Sequence, residues 1–218
     1  MRSVLVFSAV LCLVSATAFS ITDSSIEFSP GGDNPGHWLY QGSTSASGTF
    51  SFIQDVDIDY IQGAQTDALY DQFVFLPDLT LTNYVAGTIA GTGSGDVATG
   101  GLVEIKDGSG NVLLAGTLAE GFYHAIWATS VIYPQVAADI KVTSVNNIIG
   151  SAFLSGVSVD DYFDLNLTLN ASSNFETMIV NVETGTNGFS GSMIIIPEPS
   201  TIALLGLGGL LLRKRKNA

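Results

Sequence analysis

Alternation dominates the middle of the chain. In YFDLNLTLN, beginning at Tyr162, Phe163, Leu165, Leu167 and Leu169 fall on one side and Asp164, Asn166 and Thr168 on the other. This is the period of a strand with one buried face. TFSFIQDVDIDY, DQFVFL, LTLTNY, LVEIKDGSGNVLLAGTL, YHAIWATSVIY and FSGSMIII read in the same way, separated by clusters of Gly, Asn and Asp, the residues that turn a chain. Asp107-Gly108-Ser109-Gly110-Asn111 lies between two such runs and predicts a hairpin loop. GTGSGD at 91–96 matches part of a calcium-binding nonapeptide, but without repetition it predicts a flexible loop. The one modest helix candidate is Pro134 to Ile140. About ten to twelve short strands predict an all-β fold, an antiparallel β-sandwich of jelly-roll type, with a barrel as the less favoured closure. There is no internal repeat of fixed period.

The two ends break the alternation. Residues 1–18 carry Arg2, an apolar run from Val4 to Val14, and Ala16-Thr17-Ala18. That order predicts a secretory signal peptide, with Ala16 and Ala18 specifying cleavage by signal peptidase. Cys12, the single cysteine, falls inside it, so a processed chain has no disulfide, thiol nucleophile or cysteine-bound metal. Export without disulfides suits a bacterial protein. The segment 19–194 is left as the ectodomain.

From 195 to 218 the chain changes character again. Pro197-Glu198-Pro199 interrupts strand and helix alike, and Ser200 or Thr201 can cap a helix beyond it. Ile202 to Leu212 provides 11 uncharged residues. As a helix these span roughly 16 Å, about half of the ~30 Å hydrocarbon core. Arg213, Lys214, Arg215 and Lys216 follow at once and would fix the orientation, holding this end on the cytoplasmic side. The tail therefore predicts a short membrane helix that pauses the protein before processing, and a poor permanent anchor.

In this order, at the C-terminus and behind a signal peptide, these residues resemble the PEP-CTERM sorting signal of exported bacterial proteins. The resemblance covers only the tail. It implies that the precursor is a substrate of an exosortase, a membrane cysteine protease that reads Pro197, Glu198 and Pro199 and releases or transfers the protein to the cell surface. It also implies a place beside extracellular polysaccharide, as a matrix or biofilm component. A GPI signal would end without a basic terminus. A sortase signal would need Leu-Pro-x-Thr-Gly before its helix, whereas Leu76-Pro77-Asp78 lies far upstream. An ordinary single-span anchor is the remaining alternative, opposed by the shortness of the helix.

Charge removes one class of partner. The chain has a net charge of −13, and of its seven basic residues only Lys106 and Lys141 lie between the ends. Residues 19–196 hold 19 Asp and Glu against those two Lys, giving 2 − 19 = −17. Nucleic acid has no electrostatic footing on such a domain. The same charge would keep a released domain soluble, and divalent cations could bridge it to a polyanionic matrix.

Candidate chemistry is sparse. His37 and His124 each stand near a Trp, with no nucleophile elbow, zinc-protease helix or phosphate loop beside them. Partly buried strand histidines are the favoured reading, and the chain reads as a non-enzyme. A hydrolase would need two carboxylates facing one cleft at the separation that glycoside cleavage demands. Alternation puts Asp55, Asp57 and Asp59 on one strand face and Val56, Ile58 and Tyr60 on the other. The three aspartates are a candidate Ca2+ site, the only cofactor the sequence suggests, weighed against a solvated strand face. Asp160, Asp161 and Asp164 pose the same choice, and Asp107, Ser109 and Asn111 read as a plain turn rather than a metal loop. Trp38 with Tyr40, and Tyr123 with Trp127, share strand faces and are candidates for stacking on carbohydrate, against the commoner role of core filling. Asn166 in Asp164-Leu165-Asn166-Leu167-Thr168 and Asn170-Ala171-Ser172 match glycosylation sequons, against the plainer reading of exposed asparagines. Together these features predict an exported surface or matrix protein with a structural or adhesive role. A carbohydrate-binding module is the alternative, and an extracellular hydrolase comes third.

Overall fold

A computed structural model describes residues 25–29, 38–52, 56–62, 66–98, 100–128, 131–169, 179 and 184–196. They contain thirteen strands: β1 (Ser25–Ser29), β2 (Trp38–Thr44), β3 (Ser47–Phe52), β4 (Val56–Ile61), β5 (Phe73–Phe75), β6 (Leu79–Ala86), β7 (Gly93–Val97), β8 (Leu102–Lys106), β9 (Val112–Ala128), β10 (Val131–Val145), β11 (Tyr162–Leu169), β12 (Thr184–Asn187) and β13 (Phe189–Ile196). The strands belong to a compact unit, Ser24–Ile195. The signal peptide with Ala16 and Ala18, the motif Pro197, Glu198 and Pro199, the run 202–212, and Arg213, Lys214, Arg215 and Lys216 lie outside the described residues. Among the described residues no helix is long and apolar enough to cross a membrane.

The all-β, antiparallel expectation holds, but the closure differs from a jelly-roll sandwich. Strands β10, β11, β13, β1, β4, β5, β8 and β9 hydrogen-bond in sequence, and β9 pairs back onto β10. Those eight form a closed antiparallel barrel, which removes the edges a sandwich would leave. The remaining strands continue from β9 in the order β7, β6, β3, β2, β12.

The fork between ring and extension lies within β9. Val112 to Thr117 pair with β8, whereas Gly121 to Ala125 pair with β7. Along its other edge β9 follows β10, with a register shift between the pairs Ala138↔Gly121 and Ile140↔Leu118. That shift leaves one extra residue in β9 where its partner changes. A bulge bends and twists a strand locally, which is what one strand needs in order to serve two neighbours.

Two local expectations fail for reasons of packing. Pro134 to Ile140 is part of β10, not a helix. Val136, Ala138, Ile140 and Val142 are buried at period 2, and β10 is paired on both sides, by β9 and by β11. Two ladders outweigh the weak helix preference of Gln, Ala and Asp. The GTGSGD stretch is not a loose loop, since Gly93–Val97 is β7. Its glycines serve close approach: a Cβ at Gly93 would overlap the Tyr84 hydroxyl, and one at Gly95 would lie 2.8 Å from Leu81 Cδ1.

By contrast, β11 follows its sequence pattern throughout. Phe163, Leu165, Leu167 and Leu169 are buried, and Asp164, Asn166 and Thr168 face outward. The DGSGN hairpin between β8 and β9 also forms as expected. Asp107 Oδ1 accepts the backbone N–H of Ser109 at 2.9 Å and of Asn111 at 2.8 Å, and Oδ2 accepts Asn111 Nδ2 at 2.8 Å.

Candidate functional site

The aromatic candidates Trp38, Tyr40 and Tyr123 are core residues, 1%, 0% and 0% exposed. This overturns their assignment to carbohydrate contact, because no ring face reaches solvent. They pack around Phe50: Trp38 at 6.0 Å and 66°, Tyr40 at 5.1 Å, and Tyr123 at 6.1 Å between ring centroids. Trp38 Nε1 donates to the Gly188 carbonyl at 3.0 Å, the kind of partner a buried indole requires. Burial pushes the Tyr40 phenol above its usual range. The fourth candidate, Trp127, lies in β9 and pairs with Ile132, but its side chain is outside the described set.

The acidic candidates also separate. Asp55 lies outside the described residues, while Asp57 is half-buried and Asp59 exposed on β4. Among the described residues no group of three or more His, Cys, Asp or Glu side chains is arranged to hold a metal ion. In the second cluster, Asp160 pairs with Lys141 at 2.7 Å, raising the Lys141 pKa. Asp161 Oδ2 accepts the Ser158 N–H at 2.7 Å, and Asp164 faces Asp139 across the β10–β11 ladder. At Asp107 the side-chain amide and backbone N–H of Asn111, with the N–H groups of Ser109 and Gly110, hold the carboxyl below its usual range. That carboxylate is occupied by its own turn.

His37 is outside the described residues. His124 is half-buried on β9 and stacks on Phe122 with centroids 5.3 Å apart.

A different set of residues converges on the barrel's outer face. In the β1–β4 ladder, Glu27 pairs with Tyr60 and Phe28 with Ile58, so Asp59 is an extra residue in β4. The bulge reverses the alternation. Tyr60, expected on the buried side with Val56 and Ile58, turns outward and is 38% exposed, while Ile61 turns inward at 1%. Glu27, Ser29, Asp59, Asn166, Ser190 and Ser192 line a polar cleft of about 410 Å3. An adjoining hollow of about 280 Å3 is lined by Asp59, Tyr60, Ile61 and Tyr70. Asp59 is common to both, and its carboxylate accepts the Ser29 hydroxyl.

Tyr70 reaches this groove on a turn clasped from behind. Tyr70 N–H donates to the Asp67 carbonyl at 3.1 Å, and Asp71 N–H to the Ile58 carbonyl at 3.0 Å. Asp67 is buried, 8% exposed, and its carboxylate accepts the N–H groups of Leu69 and Phe153, each at 2.9 Å. Burial alone would raise the Asp67 pKa. Hydrogen bonds from Ser151, Leu69, Phe153 and Ala152 outweigh that cost and hold the carboxyl below its usual range.

Of the residues singled out in the sequence, Asp59 and Asn166 thus come together, while Tyr60, Tyr70 and Glu27 were missed. One signal was available: in Tyr60-Ile61 two apolar residues adjoin at the end of an alternating run, as happens where a bulge resets the period.

Comparison with known proteins bears on the tail. Residues 196–216 match the PEP-CTERM protein-sorting motif, one residue before Pro197 and through the basic cluster. No curated protein and no solved structure matches the chain. The chain thus carries at its C-terminus the sorting motif of an exosortase substrate, which indicates export and sorting to the cell surface.

Proposed function

We propose that this is a surface or extracellular-matrix protein with a structural or adhesive role and no catalytic one, delivered by exosortase processing of its tail. The observation that carries the reading is the sorting motif at 196–216. In the proposed sequence of events, signal peptidase cleaves after Ala18. The run 202–212 then holds the precursor at membrane depth, with Arg213 to Lys216 on the cytoplasmic side, and the exosortase acts at Pro197-Glu198-Pro199.

The domain in front suits that journey. The eight strands of the closed ring leave no edge open to unwanted pairing, and the extension ends on the short strand β12. The domain's excess of carboxylates favours a dispersed state after release. Adhesion would then depend on particular surface sites, because bulk charge repels a polyanionic matrix.

Replacing Pro197, Glu198 and Pro199 together by alanine tests the proposal. The variant is expected to accumulate in the membrane fraction while the unaltered protein reaches the surface or medium. Equal surface delivery of the two would count against exosortase sorting.

A further inference from the structure

We propose that the outer groove at the β4 bulge binds a segment of neutral polysaccharide, with Tyr60 and Tyr70 as stacking surfaces and Glu27, Asp59 and Asn166 as hydrogen-bonding groups. This deepens the surface-and-matrix reading by giving it a ligand class. The two can fail separately, because sorting is read at the C-terminus and binding at the groove.

Shape and exposure come first. The two hollows adjoin at Asp59, and both are open to solvent. Tyr60 and Tyr70 line the same hollow, at 38% and 41% exposure. A half-exposed phenol offers an apolar ring beside a wet hydroxyl, which matches a sugar ring with apolar C–H faces and a polar rim.

The polar wall is equally selective. Carboxylates accept, an amide donates and accepts, and serine hydroxyls do both; a polyol needs this mixture because each of its hydroxyls does both. Charge then decides which polysaccharide. The groove has no Lys or Arg. The two lysines of residues 19–196 are engaged elsewhere, Lys106 with Glu104 at 2.6 Å and Lys141 with Asp160 at 2.7 Å. Glu27 and Asp59 would repel uronate, sulfate or phosphate groups, so a neutral chain is the fitting ligand.

The groove is also held ready. Glu27 and Tyr60 are direct cross-strand partners, and the turn bearing Tyr70 is tied to the buried Asp67 carboxylate. Little ordering would be needed on binding.

The test is native electrophoresis of the protein purified from the cells that export it, through gels containing dextran, xylan or galactomannan, with alginate as the anionic comparison. At least one neutral polymer is expected to retard the protein. Tyr60→Ala with Tyr70→Ala should weaken the apparent affinity roughly tenfold or more, whereas Tyr60→Phe and the remote Phe122→Ala should leave it near the starting value. Should the double alanine variant not fold, Glu27→Gln with Asp59→Asn reads the polar wall, with an expected loss of roughly fivefold to tenfold. Retardation by none of the neutral polymers, retardation by alginate alone, or unchanged affinity in these groove variants would overturn the inference.

Discussion

Two strands of this protein each carry one extra residue next to a tyrosine, with opposite results. In β6 the register with β7 shifts between Thr82 and Val85. Asn83 takes the left-handed conformation, φ 53°, and donates from Nδ2 to Asp96 Oδ2 at 2.8 Å. Period 2 from Leu79 and Leu81 would have turned Tyr84 outward, yet it is 6% exposed and lies 6.1 Å from the Tyr123 ring. In β4 the extra residue is Asp59, and Tyr60 moves from the expected core face to the groove. A one-residue shift exchanges the faces of everything beyond it. One bulge thereby adds an aromatic ring to the core, and the other removes one from it to build a surface site.

The sharpest way to test this contrast is to delete each ring. Tyr84→Ala should destabilise the fold by about 3–5 kcal/mol, the cost of emptying a packed aromatic site. Tyr60→Ala should cost less, about 1 kcal/mol, because its ring is already 38% exposed. Urea denaturation of both variants measures the difference, and equal losses would place both rings in the core.

The support beneath the groove comes next in size. Asp67→Ala strips a buried charged acceptor from the Leu69 and Phe153 N–H groups and should cost about 1.5–3 kcal/mol. The sign of the pH effect follows from the lowered pKa of Asp67. Its contribution is complete above the unfolded value of about 3.9 and disappears as pH falls through the lower folded value. Acid titration of stability should therefore show a loss in the unaltered protein over that range that is missing in Asp67→Ala.

The β6 bulge can be loosened directly. Asn83→Val forces a β-branched residue into positive φ and should cost about 1–2 kcal/mol, whereas Asn83→Gly should be nearly neutral. Thermal unfolding of the pair separates the backbone requirement from the side-chain bond to Asp96. The smallest expected effect lies away from either bulge, at Asp139 opposite Asp164. Asp139→Lys replaces a repulsive cross-strand pair by an attractive one and should gain about 0.2–1 kcal/mol at low salt.

These bulges also explain how far the sequence could be read. In β11 alternation is uninterrupted, so its core and outer faces follow directly from Tyr162 to Leu169. The β8–β9 hairpin was equally legible, because the turn chemistry of Asp107 and Asn111 is local. Barrel closure was not, since it depends on β9 pairing with β8 along one half and β7 along the other, a division made by a bulge and marked by no local motif. Pro134 to Ile140 carried helix formers whose preference yields to two flanking ladders. The aromatic candidates stayed open between two roles because period 2 gives a shared face without saying which face is wet; Trp38, Tyr40 and Tyr123 proved to be core, the commoner of the two. The groove was half visible, through Asp59 and Asn166, but its tyrosines depended on a register shift and on a turn fixed by residues distant in sequence. The tail was legible because its order of proline motif, apolar run and basic cluster is local and linear.

Exosortase sorting is best tested by the intact mass of the mature protein, recovered from its native cells and fractionated into membrane, surface and medium. A C-terminus near Pro197 to Pro199 is expected in the surface fraction or medium. Recovery in the membrane fraction of a chain still bearing Arg213 to Ala218 would contradict sorting and leave the tail as a plain anchor.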